Sequence, residues 1–196
     1  MIIDLHNHCE LSKNTSLSFD DYLQNAQKKE ISFAITEHNC LYYRSGKIGN
    51  ISFFSGIEIL NNYGDFIVFG APEDCVGLRQ DMHKLINYIH RCGGVIIAAH
   101  PYSGYGVCKS TDDETANEIL KLVDAIEVYN GLADDDSCKK ADILAQIHKK
   151  PSTGGSDAHN INELFTAGTK FIDKIENIND LVNSIKYGRC EPIKID

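Results

Sequence analysis

The eight histidines of this 196-residue chain are unevenly placed. His6, His8, His38, His100 and His159 fall at the ends of short β-branched or apolar runs, in the contexts H-N-H, T-E-H, A-A-H-P and S-D-A-H. His83, His90 and His148 lie instead in segments of helical periodicity. Residues i and i+2 of an extended strand project to one side, so His6 and His8 can address a single cation, and so can Asp157 and His159. Imidazole combined with carboxylate suits Zn²⁺, Mn²⁺ or Fe²⁺, whereas Mg²⁺ and Ca²⁺ prefer oxygen ligands alone. Glu58 closes the run G-I-E, and its two oxygens can bridge neighbouring metals. Two metals close together hold a hydroxide that is nucleophilic at neutral pH, and they neutralise charge developing on a transferred phosphoryl group. No serine or cysteine nucleophile is then needed.

Such residues act together only if the chain brings its strand ends to one place. Candidate strands are residues 2–5, 32–36, 53–59, 66–69, 95–99, 125–129, 152–155 and 170–172. Five segments with apolar residues at helical spacing separate them. The first opens on Ser18 and Asp21, a capping-box pattern, and continues through Tyr22, Leu23 and Ala26. Met82, Leu85, Ile86 and Ile89 define the second; Ala116, Ile119, Leu120 and Val123 the third. The fourth uses Ile143, Leu144 and Ile147, and the last Ile178, Leu181, Val182 and Ile185. Strands alternating with helices predict βαβ units and a parallel sheet, and in barrels of this kind the carboxyl ends of the strands converge on one mouth. Asp134, Asp135 and Asp136 precede the fourth helix and serve its amino terminus rather than a cation.

Composition narrows the function. With 42% hydrophobic residues and no linker or repeat, residues 1–196 read as a single domain. Nineteen Lys and Arg against 28 Asp and Glu leave a formal charge of -9, which disfavours an extended nucleic-acid partner held by counterion release. A small anion remains compatible, because bound cations reverse the local potential. Seven cysteines without a C-x-x-C pair suit neither a disulfide framework nor a zinc knuckle; reduced, mostly buried thiols are expected. No run approaches the roughly 18 apolar residues of a membrane span, and MIIDLHNH lacks the regions of a secretion signal. The expectation is a cytoplasmic protein with no membrane partner.

The motifs D-L-H-N-H (Asp4 to His8), T-E-H-N (Thr36 to Asn39), G-I-E (Gly56 to Glu58), A-A-H-P (Ala98 to Pro101) and G-S-D-A-H (Gly155 to His159) resemble, in order and spacing, those of the PHP superfamily, the polymerase and histidinol phosphatases. The resemblance covers Ile2 to His159 and implies a distorted seven-stranded (β/α)7 TIM-like barrel. It also implies two or three divalent metal ions and phosphoester hydrolysis. Carried over by position, His6, His8, Glu58 and Asp157 form a first metal site, and Glu58 bridges to a second completed by His100. Family members place a histidine at the start of the strand after G-x-E, where this chain has Asp65, which can coordinate the same metals. A third site would take His38 and His159 with an acid or histidine, yet Lys13 stands near that position. A protonated lysine does not ligate, so the expectation is a binuclear enzyme in which Lys13 supplies charge to the substrate; Glu10 and Glu37 are the alternative third-site ligands. Arg44, on the loop after T-E-H-N, is a candidate phosphate clamp.

The resulting expectation is a metal-dependent phosphoric ester hydrolase acting on a small phosphomonoester, histidinol phosphate-like or a nucleotide phosphate, through a metal-bridging hydroxide. Glu58, Asp157, His38 and His159 carry the chemistry. Glu127 and Asn130 end a strand near the mouth and have either a site or a structural role. Two rival readings keep the same residues: an amidohydrolase acting on a C–N bond, and a non-catalytic barrel stabilised by metal.

Overall fold

The computed structural model describes residues 1–42 and 45–195. The first half contains β1 (Ile2–Asp4), α1 (Phe19–Lys29), β2 (Ser32–His38), β3 (Gly46–Ile48), β4 (Ile51–Asn61), β5 (Gly64–Phe69), α2 (Met82–Arg91) and β6 (Val95–Ala98). The second contains α3 (Val107–Ser110), α4 (Asp113–Leu122), β7 (Ala125–Asn130), α5 (Asp135–His148), β8 (Ser152–Gly155), β9 (Ala167–Phe171), α6 (Ile178–Lys186) and β10 (Cys190–Lys194). Each of the five expected helices forms. Ser18 and Asp21 close a reciprocal capping box on α1, and Asp134 caps α5 by accepting from the Ser137 amide.

The strands make one sheet in the order β10-β9-β1-β2-β4-β5-β6-β7-β8, with β3 attached to β4. Seven of them, β1, β2, β4, β5, β6, β7 and β8, form the wall of a TIM-like barrel. Its ends approach where Asn7 bridges Ala158 in parallel and the Asp157 amide donates to the His6 carbonyl at 2.7 Å. The expected count of seven describes that wall, but among the described residues the sheet holds ten strands, since β3, β9 and β10 add antiparallel pairs. The expected parallel order also breaks at β5, which is antiparallel to β4 and β6. The cause is local: Asn61 pairs with Gly64 across a two-residue turn, too short for a parallel crossover.

Alternation sorts the side chains. On β5 and β6, Phe66, Val68, Ile96 and Ala98 pack outward against α2 and α4. Ile67, Phe69, Val95 and Ile97 point inward with Ile3, Leu5, Ala34 and Phe54. Leu181, Val182 and Ile185 of α6 join the inward cluster and close the barrel floor, while Tyr22 and Ala26 of α1 cover Phe33 and Ile35. The interior is thus apolar below, and the same alternation brings Glu58, two pleats above Phe54, to the inside near the mouth. Among the described residues no helix is long and apolar enough to cross a membrane.

Candidate metal centre

Glu58 is the hub of the mouth, 2% exposed. Its Oε1 lies 3.3 Å from Nε2 of both His6 and His100. Its Oε2 lies 3.3 Å from Nε2 of His8 and 2.9 Å from Nε2 of His38. Asp157 faces the same rings: Oδ1 is 3.5 Å from His6 Nε2 and 3.2 Å from His8 Nε2, and Oδ2 is 3.8 Å from His100 Nε2. Among the described residues three donor groups result, each with its ligand atoms within 4.8 Å of one another: His6, His8 and Asp157; His6, Glu58 and His100; His8, His38 and His159.

The backbone bends to achieve this. His100 and Asp157 take left-handed φ values of 26° and 55°, a conformation that costs about 1–3 kcal/mol for a non-glycine residue and concentrates at functional sites. Gly155 permits the closure between β8 and β1, because a Cβ there would lie 2.4 Å from the His6 Cβ and 2.6 Å from its amide nitrogen.

A second layer holds the rings. The His6 Nδ1–H donates to Glu127 at 3.0 Å, which leaves Nε2 as the free donor atom. Glu127 also accepts from the His100 amide at 2.9 Å and from Asn130 Nδ2 at 3.1 Å. Asn130 Nδ2 reaches Asp157 Oδ2 at 3.1 Å. Glu127 and Asn130 therefore tie together segments from β1, β6 and β8.

These residues fit a metal. The ring nitrogens His6 Nε2, His8 Nδ1, His8 Nε2 and His100 Nδ1 are buried without a hydrogen-bond partner, a cost that coordination removes. Among the described residues, Glu58, Asp65, Asp157 and Glu127 have only histidines as cationic neighbours. Buried carboxylates of this kind require a cation. Burial opposes protonation of His6, but Asp157, Glu127 and Glu58 outweigh it and drive its pKa well up. Burial also opposes protonation of His100, and chiefly Glu58 reverses that, raising the pKa to about 9. Burial would raise Glu58 and Asp157, yet His6 foremost holds both well below the carboxylate range. Burial lowers His8, and burial with the charge of Glu58 pushes Asp65 up to about 7. A proton and a divalent cation compete for the same atoms in such a nest.

His6, His8, Glu58, His100 and Asp157 converge. Asp65 stands at its edge, Oδ2 4.0 Å from His100 Nε2; because β5 runs antiparallel, its first residues lie at the mouth. His38 and His159 converge with His8 at the outer side, 28% and 20% exposed. Their carboxylate neighbours are those of the deep group: Glu58 Oε2 at 2.9 Å from His38 Nε2 and Asp157 Oδ1 at 3.7 Å from His159 Nδ1. Lys13 is exposed in the turn beyond it, and Arg44 lies outside the described residues. Glu37 is buried, accepting from the Cys9 amide at 2.7 Å and from the Ser12 hydroxyl, with Oε2 4.0 Å from His8 Nδ1. Glu10 accepts from Cys9 Sγ, Phe19 and Tyr42. All seven cysteines are free, but only Cys9, Cys75 and Cys138 are fully buried, fewer than expected; Cys92 is exposed at the end of α2.

Residues 135–190 match the family model described as PHP-associated. The fold is similar to that of PsfC from Pseudomonas syringae, at 20% identity and TM-score 0.77 over 99% of this chain and 91% of that one. It is similar to a two-domain Bacteroides vulgatus protein containing a predicted PHP-like metal-dependent phosphoesterase, at 17% identity and TM-score 0.76 over 99% and 64%. Endonuclease Q bound to a duplex with an abasic lesion is similar at 17% identity and TM-score 0.73 over 95% and 57%. This chain thus spans less than two thirds of the latter two proteins. No curated protein matches it by sequence. Fold and nest define a TIM-like barrel with a histidine and carboxylate mouth. The likeness to these structures, at 20% identity or less, shows a shared fold, and the PHP-associated match covers residues 135–190.

Proposed function

We propose that this chain is a metal-dependent phosphoesterase that hydrolyses a small phosphomonoester, using two divalent cations of the Mn²⁺, Zn²⁺ or Fe²⁺ type. The observation that carries the reading is the buried mouth in which Glu58 faces four imidazoles while several ring nitrogens, among the described residues, have no hydrogen-bond partner. His6, His8, Glu58, Asp65, His100 and Asp157 would hold the cations, which would supply Lewis acidity and bring the pKa of bound water toward neutrality.

The chain's own residues do the rest. Glu127 and Asn130 fix the rings and Asp157 in place before substrate arrives, so little reorganisation is needed during reaction. His38 and His159, half-buried at the outer side, hold the remaining phosphate oxygens, and Lys13 adds positive charge from the turn beyond them. The charge of -9 favours a small ester over a DNA strand.

Chelated protein reloaded with Mn²⁺ and given p-nitrophenyl phosphate, histidinol phosphate, nucleoside monophosphates, an abasic duplex and a chromogenic amide tests this reading. Turnover of the monoesters is expected. Hydrolysis of the amide alone, or cleavage of the duplex alone, would overturn it.

A further inference from the structure

The fourth apolar stripe read from the sequence does not pack on the barrel. The residues that α5 buries are small: Cys138, Ala141 and Ala145. Ile143 and Ile147 stand one turn apart on the other side of the helix, 56% and 68% exposed. Exposed isoleucines add no packing to the monomer, and their branched side chains are poorer helix formers than alanine or leucine. Beside them a groove of about 540 Å³ runs between α4 and α5. Tyr102, Ala116, Leu120 and Leu144 line it, with Ile147 at its edge.

The two ends of this face carry opposite charge. Strands β6, β7 and β8 are parallel, so α4 and α5 run the same way and their amino termini share one end. There Asp112, Asp113 and Glu114 are exposed, and Asp113 and Glu114 line the groove. Asp134, Asp135 and Asp136 of α5 outnumber Lys139 and Lys140 at the same end. The carboxyl-terminal end holds His148 in the groove, with Lys121, Lys149 and Lys150 around it. The Lys150 ammonium is fixed there, donating to the Lys121 and Val123 carbonyls at 2.8 and 2.6 Å. The acid at that end, Asp124, is taken up by His90 and by the Ile96 amide, each at 2.9 Å. A uniformly basic or uniformly acidic partner would meet like charge at one end. A copy of the same chain, turned end for end, matches both.

We propose that a second copy of this chain seats on the α4–α5 face about a two-fold axis, with Ile143 and Ile147 of each protomer covered by the groove of the other. The contact is isologous, the commonest arrangement in soluble oligomers. It lies on the outer wall, leaves the mouth open, and does not depend on the phosphoesterase reading.

Sedimentation velocity over a range of concentrations tests it. The native chain should dimerise. Ile143→Gln combined with Ile147→Gln should weaken association by more than about 100-fold, with circular dichroism and Mn²⁺ content unchanged. Asp113→Lys with Glu114→Lys, and separately Lys121→Glu with Lys149→Glu, should each give monomers that associate when the two variants are mixed. A native chain that stays monomeric assigns the groove to another partner or to none and overturns the proposal. A dimer indifferent to the isoleucine substitutions, or charge-reversed variants that remain apart on mixing, overturns it equally.

Discussion

The two sides of the mouth are built differently. On the deep side, His6, His8, His100, Glu58 and Asp157 are at most 8% exposed and locked from behind by Glu127 and Asn130. On the outer side, His38 and His159 are partly exposed and group with His8, each reaching inward to a carboxylate of the deep side, Glu58 or Asp157. Charge and preorganisation decide what each can hold. The deep side offers anionic, fixed donors suited to cations that stay bound, while the outer side offers neutral or protonated donors suited to an anionic substrate.

The largest effect should follow from emptying the deep side of charge. Glu58→Gln or Asp157→Asn should lower turnover by more than about 100-fold, beyond the roughly 10- to 100-fold carried by residues behind a ligand. Circular dichroism should show the fold retained, and full activity in either variant would dissolve the contrast. Gly155→Ala comes next. The added Cβ meets His6, so about 1–3 kcal/mol of stability should be lost, read from the denaturation midpoint, together with weaker metal binding. Glu127→Gln should then weaken metal binding by roughly 10- to 100-fold, measured by chelator competition. His159→Gln should instead raise KM and leave metal content unchanged.

The smallest effect concerns pH. In chelated protein, His100 is raised from 6.5 to about 9, so its contribution to stability is fully present below pH 6.5 and lost as pH climbs through 9. Glu58 is held below its ordinary 4.5, so its contribution is present above that value and lost as pH falls further. The Tm of the chelated protein should therefore be highest between these limits and decline toward pH 9. Added Mn²⁺ should restore it most at the alkaline end, where protons no longer compete for the rings. A Tm of chelated protein that rises from pH 6.5 to 9 would contradict the imidazolium pairing.

The convergence on the deep side was largely legible in the sequence, because its histidines and carboxylates follow or end strands and strand ends meet in a barrel. Asp65 stood out only through resemblance, since nothing in Y-G-D-F shows that the tight turn at Gly64 reverses β5 and returns its start to the mouth. Glu127 and Asn130 were ambiguous for a related reason. Two partners of Glu127, His6 and His100, lie 121 and 27 residues away in the chain, and no local pattern records them. The extra strands escaped because G-K-I is too short to show alternation, and C-E-P-I-K carries a proline tolerated only at a sheet edge.

The central claim is that the deep side alone binds cations tightly. Elemental analysis of protein loaded with Mn²⁺ or Zn²⁺ and then desalted tests it directly, with Glu58→Gln alongside. Two tightly bound ions per chain, largely lost in the variant, are expected; no bound metal, or three ions retained equally in both proteins, would contradict it.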